Sequence, residues 1–160
     1  HALDGMKVKW TGGLWKERFD TCANSTVPQL KHMFDSKDIS HVVENFKICA
    51  GDAEGDFDGT VFGDGDFYKW MESAIYTAYQ TDNQLLKKEI ENYIDLIGRA
   101  QQPDGYLSTK QIIGERTGNG VSRMRDINDF EVLIGETLGE EVKYTRTFYV
   151  RKNELSRFWI

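Results

Sequence analysis

Two successive amphipathic helix patterns joined by a short turn constrain the fold of this 160-residue chain more than any other feature. Apolar residues recur at helical spacing over 67–78 and again over 86–97. Thr81-Asp82-Asn83 separates the two patterns as a turn with a cap, and Pro103-Asp104-Gly105 ends the second. So short a connection predicts an antiparallel αα-hairpin. The two apolar stripes are Phe67, Trp70, Met71, Ala74, Ile75 and Ala78, and Leu86, Ile90, Tyr93, Ile94 and Ile97.

The rest of the chain adds weaker patterns. Val8–Phe34 predicts a short extended entry and then a helix, which Pro28 kinks or splits in two. Residues 108–128 have no periodicity and contain three glycines, so they predict a long exposed loop. Glu141–Val150 is rich in Val, Thr, Tyr and Phe and favours a short β-strand near the C-terminus. The chain is therefore expected to be mainly α-helical.

Composition is that of a soluble globular protein, with 39% hydrophobic and 29% charged residues. The formal net charge of −6 argues against a nucleic-acid partner or an anionic membrane surface, because both need a basic face. No apolar run approaches the roughly 20 residues of a membrane span. Cys22 and Cys49 are the only cysteines, and they predict two small core residues without a disulfide or a Cys-rich zinc site.

The segment Gly51–Met71, GDAEGDFDGTVFGDGDFYKWM, contains six carboxylates before Lys69, its first cationic residue. A calcium loop that starts at Glu54 would have oxygen ligands at its first, third and fifth positions and glycine at its sixth. Its twelfth position, however, falls on Gly65, and the usual flanking helices are not expected. We therefore predict a mostly solvated acidic loop and no metal site, with calcium binding as the weaker alternative.

Asp64 and Asp66 directly precede the first amphipathic stripe, so either one fits the N-cap of that helix. The helix dipole favours an ionised carboxylate there. An ionised carboxylate suits the acceptance of hydrogen bonds from sugar hydroxyls better than general-acid catalysis. Simple N-capping is the alternative interpretation of both residues.

Trp70 is the candidate for stacking on a sugar ring, because an aromatic ring has an apolar body that matches the face of a pyranose or furanose. At helical spacing, however, a tryptophan is more often a core residue. No nucleophilic triad or phosphate-binding loop is indicated, since none of the three histidines lies in a recognisable motif. Further aromatic candidates for stacking are Tyr68, Trp10, Trp15 and Trp159.

Several separated motifs occur in one order over residues 7–132 and together resemble glycoside hydrolase family 127, the β-L-arabinofuranosidase family. They are Leu14-Trp15 with Arg18, Asn45-Phe46, Ala50-Gly51, Gly55-Asp56-Phe57-Asp58-Gly59, Val61-Phe62, Asp64, Asp66-Phe67-Tyr68-Lys69-Trp70-Met71-Glu72, Asp95-Leu96-Ile97, and Ala100-Gln101-Gln102-Pro103-Asp104-Gly105-Tyr106-Leu107.

The resemblance implies a partial (α/α)6 toroid, which β-rich domains follow in the complete enzyme. It also implies a retaining glycoside hydrolase that releases L-arabinofuranosyl or related sugars from plant glycans. In that family a cysteine thiolate beside a zinc ion is the nucleophile, and a separate glutamate is the acid/base. Those residues lie beyond this chain, and Cys22 and Cys49 do not match them. We therefore expect no catalytic residue and no cofactor here, and no activity of the chain alone.

The resemblance also implies four substrate-binding residues. Asp64 and Asp66 match the two aspartates that open an inner helix of the toroid, the helix that carries Trp70. Glu131 matches the Glu of the family's HELY segment, close to the sugar subsite. Two departures from the family pattern leave the identity of the bound sugar undetermined. Phe130 replaces the His of that segment, and Gly65 stands where the family usually has Ser.

Taken together, residues 1–132 are predicted to form the N-terminal helical portion of a glycoside hydrolase domain, and 133–160 a segment that departs from the family pattern. The expected partner is a plant oligosaccharide. A non-catalytic carbohydrate-binding or structural helical module is the alternative function. A chain that begins with His1 suggests a processed form or a fragment. A bacterial periplasm or cytoplasm suits such a protein equally.

Overall fold

A computed structural model describes residues 8–118, and every regular element in that range is helical. The prediction of a mainly α-helical chain is confirmed, while the strand predicted over 141–150 lies outside the described residues. None of the described helices is both long and apolar enough to cross a membrane. The elements are α1 (Gly13–Thr21), a π-helical turn (Cys22–Thr26), α2 (Val27–Asp35), α3 (Val42–Ala50), α4 (Gly63–Thr81), α5 (Gln84–Ala100) and α6 (Thr109–Thr117).

The described residues divide into two compact units. The first contains residues 8–44 and 58–96, with α1, α2, α4, the start of α3 and most of α5. The second contains residues 45–57 and 97–118, with the rest of α3, the end of α5 and all of α6.

The π-helical turn between α1 and α2 explains how the chain accommodates Pro28. Proline has no amide proton, and its ring collides with the carbonyl four residues earlier in a regular helix. Here the Val27 amide donates to the carbonyl of Cys22, five residues back, which widens the helix just before the proline. Pro28 itself lies in the first turn of α2, where a missing amide proton costs little. The helical run therefore continues through Pro28, and the kink or split predicted there takes the form of a π-helical turn, Cys22–Thr26, directly before it.

Helices α4 and α5 form the predicted hairpin. Asp82 adopts the left-handed conformation, with φ of 52°, and the Asn83 amide reaches back to the carbonyl of Ala78 at 3.0 Å. The Asn83 side chain then accepts the amide of Leu86 at 3.0 Å, so it is the N-cap of α5. This turn therefore both ends α4 and begins α5, as the sequence predicts.

An aromatic cluster forms the core of the first unit. Phe67 stacks on Trp70 with ring centroids 5.5 Å apart, and Tyr93 meets both rings edge-on at 5.3 and 5.7 Å. Phe34 from α2 contacts Phe67 at 5.3 Å. Such edge-to-face pairs contribute about 0.5–1.5 kcal/mol each beyond the area that they bury. The cluster thus joins α2, α4 and α5. Two residues of the predicted apolar stripes, Ile75 and Ile94, are only half-buried and lie at the edges of those stripes.

In the second unit, the prediction of an exposed loop over 108–128 is wrong for Thr109–Thr117, which form helix α6. Residues 109–117 are helical, and residues 119–128 of the predicted loop lie outside the described part of the chain. Thr109, Gln111, Ile112 and Ile113 are all buried, so burial is not confined to one stripe. When a helix is buried on more than one side, its apolar residues do not form a single stripe, so the sequence shows no helical periodicity.

The turn before α6 agrees with the sequence. The Gly105 amide donates to the carbonyl of Gln102 at 2.8 Å, and Gly105 has a φ of 87°, which an L-residue rarely adopts. The Asp104 carboxylate accepts the amide of Tyr106 at 2.9 Å. These contacts form the predicted Pro103-Asp104-Gly105 turn.

Candidate functional site

Helix α4 begins earlier than the sequence predicts. The Gly63 amide donates to the carbonyl of Thr60 at 3.1 Å, which closes a β-turn, and the helix starts at Gly63. Phe62 occupies the N-cap position and makes no side-chain capping bond. The prediction that Asp64 or Asp66 is the N-cap is therefore wrong, and both lie within the first turn. The tight turn sets the helix start here, so the capping preference of Asp does not decide it.

The structure separates the two aspartates. Residues two apart on a helix point roughly 200° away from each other, so they cannot share one face. Consistent with this geometry, Asp64 is half-buried and Asp66 is exposed. Asp66 pairs with Lys69 at 3.2 Å, and both side chains remain largely in solvent. The helix start thus presents one exposed carboxylate, that of Asp66, and not a pair of acids.

Trp70 lies in the core of the first unit. It is 3% exposed, and its indole N–H donates to the carbonyl of Val27 at 3.0 Å. Phe34, Phe67 and Tyr93 contact the indole ring. Additional polypeptide could only reduce its exposure further. The structure therefore favours the core interpretation of Trp70 over sugar stacking.

Three of the other sequence candidates lie within the described residues. Trp15 is 67% exposed on α1, Trp10 is 45% exposed, and Tyr68 is half-buried. Glu131 and Trp159 lie outside the described residues, so Glu131 as a sugar-binding residue stays a prediction.

The acidic loop shows no sign of a metal centre. Glu54, Asp56 and Asp58 are all exposed, as predicted for a solvated loop. Contrary to expectation, α3 and α4 do flank the loop, which ends one residue before Gly63. Within residues 8–118 no three His, Cys, Asp or Glu side chains are grouped so that they could hold an ion.

The two cysteines do not fit the zinc centre that the family resemblance implies. Both are free, with Cys49 buried and Cys22 only half-buried, so the prediction of two core residues holds fully for Cys49 alone. The Cys49 thiol donates to the carbonyl of Thr109 at 3.7 Å within the second unit. Four-ligand zinc sites need clustered donors, and the described residues supply none.

One polar network was not anticipated from the sequence. The Tyr93 hydroxyl donates to the Asp35 carboxylate at 2.6 Å, and Lys31 bridges Asp35 at 2.8 Å and Glu89 at 3.3 Å. Burial, together with the hydrogen bond and negative charge of Asp35, raises the pKa of Tyr93 far above its ordinary value. Burial alone would lower the pKa of Lys31, but Asp35 and Glu89 together raise it. The network ties α2 to α5.

Sequence reasoning also overlooked Phe62, whose ring is 73% exposed beside Asp66. Phe62 lies at the corner of the turn that precedes α4, outside the helical pattern that drew attention to Trp70 and Tyr68. The flanking Gly59 and Gly63 were the available sign of a tight turn.

Comparison with known proteins gives a family match and named relatives. A family model described as β-L-arabinofuranosidase, GH127 catalytic domain, matches residues 7–138. A non-reducing end β-L-arabinofuranosidase from Bifidobacterium longum subsp. longum is 39% identical, over 65% of this chain and 18% of the relative.

A solved structure gives the same result. The crystal structure of Ara127N-Se, a GH127 β-L-arabinofuranosidase from Geobacillus stearothermophilus T6, is similar with a TM-score of 0.66 and 30% identity. The match covers 84% of this chain and 23% of that one, so the chain spans about a fifth of the length of both relatives. The likeness is consistent with the partial (α/α)6 toroid that the resemblance implies.

Proposed function

Because the chain belongs to glycoside hydrolase family 127, the β-L-arabinofuranosidase family, we propose that it is the sugar-binding N-terminal part of a hydrolase that acts on L-arabinofuranosyl groups of plant glycans. Both relatives are β-L-arabinofuranosidases by name, and the chain matches only about a fifth of each. The nucleophile, the acid/base and the zinc ion that the family resemblance implies would then be supplied by other parts of the enzyme.

The observation that carries the proposal is the exposed Asp66 carboxylate in the first turn of α4. The backbone N–H groups of the helix N-terminus favour negative charge at this position. An ionised carboxylate forms hydrogen bonds with hydroxyl groups that are stronger than those between neutral groups. This chemistry binds and orients a sugar, and it requires neither a nucleophile nor a metal among residues 8–118.

We assign no zinc chemistry to residues 8–118. When bound, zinc would stabilise a cysteine thiolate, but among residues 8–118 neither cysteine belongs to a group of three or more His, Cys, Asp or Glu side chains that could hold a metal ion. Cys49 is therefore assigned a structural role, its thiol bonded to the Thr109 carbonyl. The proposed contribution of this chain is substrate binding.

Calorimetric titration with methyl β-L-arabinofuranoside tests the proposal. We expect saturable binding to the wild-type chain, a roughly tenfold or greater loss with Asp66→Asn, and no change with Glu91→Gln. Glu91 is a matched control because it is an exposed helical carboxylate on α5. Absence of wild-type binding, or equal loss in both variants, would refute the proposal.

A hydrolysis assay with p-nitrophenyl β-L-arabinofuranoside separates this proposal from its alternative, a non-catalytic carbohydrate-binding module. The assay should be run on the chain and on the longest natural protein that contains it. Hydrolysis by the longer protein alone supports the proposal. Binding without hydrolysis by either protein supports the binding module.

A further inference from the structure

Three Asp-Gly pairs lie among residues 8–118, and each has a different local structure. They are Asp58-Gly59 in the acidic loop, Asp64-Gly65 in the first turn of α4, and Asp104-Gly105 in the turn before α6. An aspartate that precedes glycine can isomerise without an enzyme, because the next backbone nitrogen attacks the side-chain carboxyl carbon and glycine has no Cβ atom to hinder it. The pair itself is the same in all three places, so the folded structure decides which one reacts.

In the Asp58-Gly59 pair the nitrogen already lies against the carboxyl group. The Gly59 amide donates to Oδ1 of Asp58 at 2.7 Å, and Oδ1 is bonded to the carbon that the nitrogen must attack. Gly59 has a φ of 101°, which residues with a side chain rarely adopt, and Asp58 is exposed to water. Groups that are held near the geometry of attack react faster than free ones, because little further ordering is needed.

The other two pairs are held in different arrangements. The Gly105 amide donates to the Gln102 carbonyl at 2.8 Å. The Asp104 carboxylate accepts the Tyr106 amide at 2.9 Å, one residue beyond the nitrogen that would attack it. The Asp64-Gly65 pair lies within α4, where helical dihedral angles fix the peptide group between the two residues. Ring closure at either pair would first require the turn or the helix to open.

We propose that Asp58-Gly59 is a modification site at which Asp58 converts spontaneously to isoaspartate as the protein ages. The Gly59 nitrogen forms a bond to Cγ of the protonated Asp58 carboxyl group, whose hydroxyl leaves with the nitrogen's proton as water, and a succinimide ring results. Water then adds to one of the two ring carbonyls. Cleavage of the bond between nitrogen and Cγ restores aspartate, whereas cleavage of the bond between nitrogen and the main-chain carbonyl carbon gives isoaspartate. One water is released and one is taken up, so no other reactant is needed.

Isomerisation changes the main chain at a point of close backbone packing. In isoaspartate the main chain runs through the side-chain carbons, so it is longer by one C–C bond, about 1.5 Å. A Cβ atom at Gly59 would lie 2.6 Å from the Ser40 carbonyl oxygen, and one at Gly63 would lie 2.8 Å from Cγ2 of Val42. Residues 59–63 therefore lie directly against residues 40–42, with no space for a longer chain. The modified loop must move away from them, which loosens the start of α4.

Prolonged incubation of the 160-residue chain at neutral pH tests the proposal. Tryptic peptides 48–69 and 100–110 contain the three pairs, and electron-based fragmentation in a mass spectrometer shows which aspartate has isomerised. We expect several-fold more isoaspartate at Asp58 than at Asp64 or Asp104 in the folded chain, and similar amounts at all three in urea. Similar amounts in the folded chain would overturn the proposal. An excess at Asp58 that persists in urea would also overturn it, because the fold would not be the cause.

Two variants test the structural consequence. Asp58→Glu keeps the charge but would have to close a larger and less favourable ring, so the aged variant should melt at the same temperature as the fresh one. Asp56→Glu is the matched control, since Asp56 is exposed in the same loop and precedes Phe57. Aged wild type and aged Asp56→Glu should both contain a fraction that melts at lower temperature and grows with the isoaspartate content at Asp58. Equal loss of stability in aged Asp58→Glu would refute the loosening of α4.

Discussion

The indole N–H of Trp70 in α4 donates a hydrogen bond of 3.0 Å to the main-chain carbonyl of Val27, the first residue of α2. Val27 follows the π-helical turn and precedes Pro28, so it lies where the helical ladder is irregular. Trp70 therefore hydrogen-bonds the backbone at this irregular point while its ring fills the aromatic core. Its role in the structure is to join α2 to α4.

Trp70→Phe should consequently lower the free energy of unfolding by about 1–3 kcal/mol, because the hydrogen bond to the Val27 carbonyl is lost and the smaller ring leaves a gap. Urea unfolding followed by circular dichroism measures the loss. Arabinofuranoside affinity of the folded variant should be unchanged. A stable variant that has lost sugar binding would contradict the core assignment.

Asn83, and not Asp66, should behave as a helix cap. The Asn83 side chain accepts the Leu86 amide, so Asn83→Ala should cost about 1 kcal/mol or more. Asp66 makes only a favourable interaction with the helix dipole and an exposed pair with Lys69, so Asp66→Ala should cost about 0.3–1 kcal/mol. Thermal unfolding of the two variants provides the comparison. A larger loss for Asp66→Ala than for Asn83→Ala would restore the capping hypothesis.

Gly63 and Gly65 should respond in opposite ways to alanine. At Gly63 the new methyl group would press on the buried and stiff Val42 side chain, at a cost of about 1–3 kcal/mol. At Gly65 it would enter open space and improve helix propensity, for a gain of up to about 1 kcal/mol. Melting temperatures of the two variants measure the contrast. Equal changes would show that the turn does not lie against α3 as described.

The buried network around Tyr93 should make stability fall at alkaline pH. The folded pKa of Tyr93 lies above its ordinary value of about 10, so above this pH only the unfolded chain readily loses the proton. The stabilisation is therefore complete below pH 10 and declines as pH rises further. The raised pKa of Lys31 acts in the same direction.

Tyr93→Phe removes the ionisable hydroxyl and its bond to Asp35. It should lower stability by about 0.5–1.5 kcal/mol at pH 7 and make the decline above pH 10 shallower than in the wild type. Urea titrations between pH 7 and pH 11 give both quantities. If the unfolding free energy of Tyr93→Phe falls above pH 10 as steeply as that of the wild type, Tyr93 is not the cause of the decline.

Arg116 should hold α6 to the end of α3. Its guanidinium donates to the carbonyls of Ile48 at 2.9 Å and Cys49 at 2.8 Å, in the last turn of α3, where carbonyls lack helical partners. Arg116→Ala should therefore cost about 1–3 kcal/mol. Arg99→Ala is the matched control, since the Arg99–Asp52 pair is exposed and should contribute no more than about 1 kcal/mol. Equal losses in chemical denaturation would contradict this assignment.

The sequence alone determined the features that depend on neighbouring residues. The stripes of α4 and α5, the Asn83 cap, the turn at Gly105 and the interruption at Pro28 all follow from interactions within a few positions along the chain. The motifs also identified the family, because their order and chemistry are properties of the sequence itself. Local rules sufficed wherever one helical turn or one β-turn contains the whole interaction.

Tertiary structure decided the rest. Whether Trp70 faces a sugar or the core depends on Val27 and the surrounding rings, which lie far from it in sequence. The start of α4 depends on Gly63 packing against Val42, and the buried α6 has no periodicity to reveal it. The separation of Asp64 from Asp66 and the exposure of Phe62 follow from that helix start. These outcomes depend on contacts between distant segments, which local sequence patterns do not encode.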